Sequence, residues 1–169
     1  IQGNIVDLLY APLSATEVTI SISLAAATRS FMIAIVSIIA FYLIIDIQIK
    51  YFFLLFLFTF LTSFILGNIG IISGLWAEKF DHQATITNFV IVPLSFLSGT
   101  FYSIERLPDF LKKISEVNPF FYMIDGFRFC FIGQSDGSIK VGIIYLLILS
   151  ILSWLAAYIL FKRGYKIKT

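Results

Sequence analysis

Polar and apolar residues along this 169-residue chain segregate into long blocks. No Asp, Glu, Lys or Arg occurs from Tyr51 to Ala77, from Gln83 to Ile104, or from Val141 to Phe161. A fourth uncharged run, Ser30 to Ile45, reaches back to Val18 once Arg29 is allowed to snorkel to an interface. A helix needs about 20 apolar residues to cross the hydrocarbon core of a bilayer. The blocks therefore predict four membrane spans, at residues 18–45, 51–76, 84–101 and 141–161. The stretch YFFLLFLFTF (51–60) is apolar on both faces, as a lipid-embedded helix is. A barrel strand would alternate.

The segments between the blocks are less uniform. Residues 77–83, AEKFDHQ, read as a short polar loop, and KRGYKIKT closes the chain as a basic tail. The connection 102–140 holds too many large apolar side chains to be solvated. Pro108 suits the first position of a helix. Beyond it Phe110, Leu111, Ile114 and Val117 share one helical face, while Lys112, Lys113 and Glu116 share the other. Asn118-Pro119 ends the segment. That pattern predicts a short helix lying in the membrane interface. FFYMIDGFRFCFIG (120–133) is too short to cross and too apolar for water. It reads as a re-entrant or interfacial hairpin, with a plain external loop folded on the spans as the alternative. Within it Asp125 and Arg128 stand at i, i+3 and are expected to neutralise each other, with Tyr122 and the Phe cluster lining an external exit.

Composition sharpens the class. Hydrophobic residues make up 59% and charged residues 13% of the chain, against about 25% charged in a soluble domain. A chain this small cannot hide so much apolar surface in one soluble core. A soluble enzyme, a disordered protein and a disulfide scaffold are excluded, and an all-α integral membrane protein remains. A net charge of +2 gives no argument for nucleic acid. One Cys (Cys130) and one His (His82) allow neither an internal disulfide nor a Cys/His metal set. His82 is expected in a solvated loop and Cys130 as a small packed hydrophobe. Ser98 lacks a base, because His82 lies at the other end of its span. Trp76 and Tyr102 sit at span ends, as interfacial aromatics do. No stretch reads G-x-x-x-x-G-K-[ST], so no phosphate loop is present. The middle of every span is free of Asp and Glu, which argues against an ion-coupled carrier and for an external motor.

Two further patterns carry packing and coupling. Thr59, Ser63, Gly67, Gly70 and Gly74 follow at spacings of 4, 4, 3 and 4 along the second span. Small residues let helices approach in a bilayer, so this stripe is expected to pack on another span, with Asn68 offering an interhelical hydrogen bond. Lining a substrate path is the alternative. In the lead segment, Ile5, Leu8 and Leu9 recur at i, i+3, i+4, and Pro12 ends the short amphipathic helix they predict.

The stretch PLSFLSGTFYSIERLPDFLKKISEVNPFFYMIDGFRFCFIG resembles the region after the fifth span of ABC-2 type transporter permeases. The matching positions are Pro93, Gly99, Phe101, Tyr102, Leu107, Pro108, Asn118, Pro119, Tyr122, Arg128 and Gly133. The opening is similar to that family's cytoplasmic coupling segment, through Leu8, Leu9, Pro12 and Leu13. The resemblance implies six spans, so this chain is expected to lack the first two. Residues 1–16 would then be a cytoplasmic coupling segment, 17–169 the transmembrane domain, and 102–140 an external re-entrant region. It further implies a dimer of permeases, homodimeric in the simplest form, working in membrane lipid with a separate ATP-binding-cassette ATPase. No cofactor or catalytic residue is expected here, and ATP would bind the partner. Substrates would be amphipaths such as lipids, glycans or drugs, exported across a bacterial inner membrane. Lys162, Arg163, Lys166 and Lys168 lie directly against the last span, which places both ends in the cytoplasm by the positive-inside rule. A non-transporting membrane scaffold would share the same spans.

Overall fold

The computed structural model describes residues 13–45, 48–77, 79–100 and 108–164. Every regular element among them is helical: α1 (Ala15–Ile44), α2 (Phe52–Trp76), α3 (Phe80–Ile86), a π-helical turn (Thr87–Ile91), α4 (Val92–Leu97), α5 (Asp109–Val117), α6 (Pro119–Ile132) and α7 (Ile139–Lys162). Helices α1, α2 and α7 are each long and apolar enough to cross a bilayer. The protein is an all-α integral membrane protein.

Local chemistry sets the boundaries. α1 starts at a capping box: the backbone N–H of Glu17 donates to Ser14 Oγ at 3.3 Å, and Ser14 N–H donates to Glu17 Oε2 at 2.7 Å. It ends at Ile45, whose backbone is extended. α6 ends at Gly133, which takes φ 80°, a left-handed value that glycine adopts without strain.

The segment expected as a plain span at 84–101 is built differently. Helical structure begins earlier, at Phe80, and stops at Leu97, with the π-helical turn between α3 and α4. Proline supplies the reason. Pro93 has no N–H, and its ring crowds the carbonyl of residue 89. The preceding turn widens, so that Val92 N–H donates to Thr87 O, five residues back. Pro108 is the cap before α5 rather than its first residue.

α2 is the central helix. It packs on α1, on α7 and on α6, while α6 also packs on α7. Phe58, Ile65, Leu146 and Cys130 are fully shielded at this junction, with Phe120 and Met123 beside them. α1 is divided in its environment. Val18, Thr19, Ser23 and Ala27 are buried, at close to one residue per turn, whereas Met32, Ile35, Val36, Ile39 and Leu43 are exposed. The N-terminal half of α1 is thus a packed helix, and its C-terminal half shows apolar side chains to its surroundings.

Candidate functional site

The residues expected as a hairpin, 120–133, form one helix, α6, wedged into the bundle. Backbone N–H groups of Lys50 and Tyr51, just before α2, donate to Cys130 O at 2.9 and 3.3 Å. One turn back along α6 and about two turns into α2, Gly126 faces Phe58, and a Cβ there would fall 2.3–2.6 Å from the ring. α6 and α2 therefore run antiparallel, and only glycine fits where they cross.

A short helix at membrane depth leaves four N–H and four C=O groups without intrahelical partners, and these must be satisfied internally. α6 meets this need at both ends. At its start, Asn118 Oδ1 accepts from Phe120 N–H at 3.0 Å, and Asn118 Nδ2 donates to Leu94 O at 2.7 Å. At its end, the Lys50 ammonium donates to Ile132 O, a cation placed against the negative pole of the helix.

The charged residues of α6 close a collar around the wedge. Asp125, 3% exposed, accepts from the backbone N–H groups of Asp136 and Gly137 at 2.8 and 3.0 Å. Arg128 donates to Asp136 Oδ2 at 2.9 Å and to Gly99 O. Arg128 and Asp125 approach only to 3.8 Å. The neutralising pair expected from sequence is therefore a minor contact. Asp125 spends its oxygens on the α6–α7 connection, and Arg128 spans from that connection to the end of α4. Burial raises the Asp125 carboxyl above its ordinary range, and the two amides oppose that shift without cancelling it. Burial likewise pushes the Cys130 thiol up to about 11, which fits an inert packing residue.

Tyr122 lies against Tyr145, with ring centroids 4.9 Å apart, and Tyr145 Oη donates to Val117 O at 2.7 Å. Gly142 makes room for the Tyr122 ring. On the opposite side of α6, an apolar cavity of about 550 Å³ opens between α1, the start of α2 and α6, with Ala34, Ile38, Phe41, Leu55, Phe127 and Phe131 among its walls. Its size is that of an ordinary small-molecule site.

The short capped helix held between spans, with Gly99, Asn118-Pro119, Tyr122, Arg128 and Gly133 in that order along the chain, accompanies a match of residues 1–132 to the model of the ABC-2 type transporter family. The chain belongs to that family. It is 35% identical over 104 residues to the inner membrane transport permease YadH of Escherichia coli strain K12, a match covering 62% of this chain and 41% of YadH. It is 24% identical over 103 residues to nodulation protein J of Sinorhizobium fredii, covering 61% of this chain and 39% of the relative. Nodulation protein J of Rhizobium leguminosarum bv. viciae matches at 25%. The chain thus matches about two-fifths of the length of these curated relatives. No solved structure matches it.

Of the positions singled out from sequence, Ile5, Leu8, Leu9 and Pro12 of the lead segment, and Tyr102 and Leu107 of the connection, lie outside the described residues. Leu13 is exposed just before the Ser14 cap. Pro108 and Pro119 flank α5, and Gly99 takes φ 79° after α4. The small-residue stripe divides. Thr59 and Ser63 are buried, and a Cβ on Gly67 would touch Ala26 at 3.0 Å. A Cβ on Gly70 or Gly74 would meet nothing within 4 Å, so the close packing expected along the whole stripe stops at Gly67 among the described residues. Asn68 lies fully buried, accepting from Ser23 Oγ of α1 at 2.9 Å. Sequence reasoning missed Gly126, Asp136 and Lys50. Gly126, in the middle of an aromatic run, was a visible signal. The roles of Asp136 and Lys50 depend on chain reversals that bring distant residues together, and no local pattern announces them.

Proposed function

We propose that this chain is the membrane-spanning part of a permease subunit in an ATP-driven exporter of amphipathic substrates. The observation that carries the reading is α6: a polar-capped helix too short to cross, held among spans beside an apolar cavity, in a member of the ABC-2 type transporter family. Short helices and irregular backbone at membrane depth are tolerated where they are buried in protein or line a path. The name of YadH, an inner membrane transport permease, supports the same reading. In it, ATP is hydrolysed by a separate subunit, two permease copies assemble, both ends of the chain face the cytoplasm, and residues 1–16 relay the ATPase stroke to α1. The cavity between α1, α2 and α6 would accept the apolar part of the substrate.

The test is reconstitution of the protein with a candidate ATP-binding-cassette ATPase, in proteoliposomes. Candidate lipids, glycolipids and amphipathic drugs should change ATP turnover and move across the bilayer. Leu8→Asp with Leu9→Asp should abolish transport while the protein still inserts. ATP turnover indifferent to every candidate, or transport unchanged in the double variant, would count against the exporter reading and the coupling role respectively.

A further inference from the structure

A polar cavity of about 200 Å³ lies between α5, the first turn of α6 and the segment that leads into α7. Lys112, Glu116, Phe121, Tyr122, Asp136 and Ser138 are among its walls. Hydrogen bonds fix those walls. On one side, Ser115 Oγ donates to Leu97 O at 2.8 Å and Asn118 Nδ2 donates to Leu94 O at 2.7 Å, which holds α5 against the end of α4. Tyr145 Oη donates to Val117 O, the last carbonyl of α5. On the other side, Asp125 accepts from the N–H groups of Asp136 and Gly137. A Cβ on Gly137 would fall 3.0 Å from the Phe121 ring, so the connection passes close over it. Ser138 stands one residue before α7, whose 24 residues cross a bilayer with little to spare. The cavity is therefore set where a span begins, at the height of lipid headgroups.

Its polar groups are unengaged. The side chains of Lys112, Glu116, Tyr122 and Ser138 make no hydrogen bond or ion pair among the described residues. Lys112 and Glu116 stand at i, i+4 with the cation first, the weaker order for a helical pair. The Glu116 carboxylate is felt at Tyr122 instead: burial raises the Tyr122 hydroxyl above its ordinary range, and Glu116 adds to that shift. Asp136 is held by Arg128 at 2.9 Å, and Asp125 lies buried behind it. Asp109 and Lys113, of opposite charge, lie on α5 outside the cavity. A simple anion here would meet Glu116, Asp136 and Asp125, and a simple cation would meet Lys112. A molecule that carries both charges finds a partner for each.

We propose that this cavity holds the headgroup of a phospholipid of the phosphatidylethanolamine type, its phosphate at the Lys112 ammonium and its own ammonium at Glu116, with the Tyr122 and Ser138 hydroxyls as further acceptors. Both main contacts are charge-assisted hydrogen bonds. A primary ammonium brings three N–H donors to these acceptors, and a trimethylammonium brings none. The side chains of Lys112 and Glu116 start about one helical turn apart, a spacing that a two-carbon bridge between phosphate and ammonium can match. Val141 stands at the edge of the cavity, and with Ile144 and Ile148 it forms an exposed apolar stripe down α7 along which the acyl chains would run. The bound lipid would brace α5 against α7, whatever substrate is moved.

The test is lipid retention by the protein, released from nanodiscs and weighed by native mass spectrometry. The nanodiscs hold equal amounts of phosphatidylethanolamine, phosphatidylcholine and phosphatidylglycerol with identical acyl chains. One phosphatidylethanolamine per chain should be retained, about tenfold over either rival, which is the worth of one hydrogen bond to a charged group. Lys112→Gln and Glu116→Gln should each remove most of that preference, and Lys113→Gln, outside the cavity, should keep it. Thermal unfolding checks that the variants are folded. Should a charge variant fail to fold, the headgroup comparison in the unaltered protein still decides. Equal retention of phosphatidylcholine, or a preference for phosphatidylglycerol, would overturn the proposal. So would a preference unchanged in both charge variants, or displacement of the lipid by soluble phosphoethanolamine at equal concentration, which would make a free ester the occupant.

Discussion

Two polar arrangements hold this bundle together, and they are built on opposite plans. Between α1 and α2 the polar content is minimal. Ser23 Oγ reaches Asn68 Oδ1 and its own helix at Thr19 O, both at 2.9 Å, and Asn68 Nδ2 returns to Phe64 O at 2.8 Å. Every group is neutral, each is also bonded within its own helix, and Gly67 against Ala26 brings the backbones close. Around α6 the polar content is charged and spans three chain segments, from Gly99 through α6 to residues 136–137. A seam between two long helices needs only close approach, because each helix satisfies its own backbone. A short helix cannot satisfy its own ends, and its partners must be imported. The difference predicts that the seam is tolerant and the collar is not.

The largest effect should come from Asp125→Ala. It strands two part-buried N–H groups and removes the second anion beside Arg128, a loss of about 3 kcal/mol. Thermal unfolding in detergent, followed by size-exclusion chromatography, would read it. Exchanging the charges, Asp125→Arg with Arg128→Asp, should not restore stability, because the main partners of Asp125 are amides. Substantial rescue would show that the ion pair dominates after all. Next comes Gly126→Ala, whose methyl group collides with the Phe58 ring and should cost about 1–3 kcal/mol. Phe58→Leu in the same chain should recover part of that loss, and a double-mutant cycle measures the coupling. The seam should respond less. Asn68→Leu removes one interhelical hydrogen bond, worth about 0.6 kcal/mol inside a membrane, and a cycle with Ser23→Ala should return a coupling of that size. A coupling several times larger would place the seam in the same class as the collar. The smallest effect belongs to Gly70→Leu, where the described residues leave open space. The yield of folded protein should not fall, and helix propensity favours Leu by about 1 kcal/mol.

The spans were legible because charge is excluded from them, and the uncharged runs locate α1, α2 and α7 to within a few residues. The amphipathic pattern of α5 was equally plain. The capping box of Ser14 and Glu17 and the π-helical turn before Pro93 were not read from the sequence, although each has a local chemical cause. What could not be read was the partner of each polar group. Asp125 and Arg128 at i, i+3 suggest a pair, because helical spacing is the only geometry a sequence displays. The folded-back segment 133–138 then offers better partners to both. Likewise, the spacing of Gly67, Gly70 and Gly74 gives the face they occupy but not how far along it a neighbour extends.

The collar also dictates an order of assembly. α1, α2 and α7 can each enter a bilayer as separate helices, but α6 by itself is too short to span and has polar ends that lipid would not accept. Its N-terminal cap uses α4, its C-terminal carbonyls use the segment before α2, and its Asp125 uses amides that follow it in the chain. Docking of the wedge therefore needs α4, the segment before α2 and residues 136–137 in place together, and it becomes the step that commits separately inserted helices to one structure.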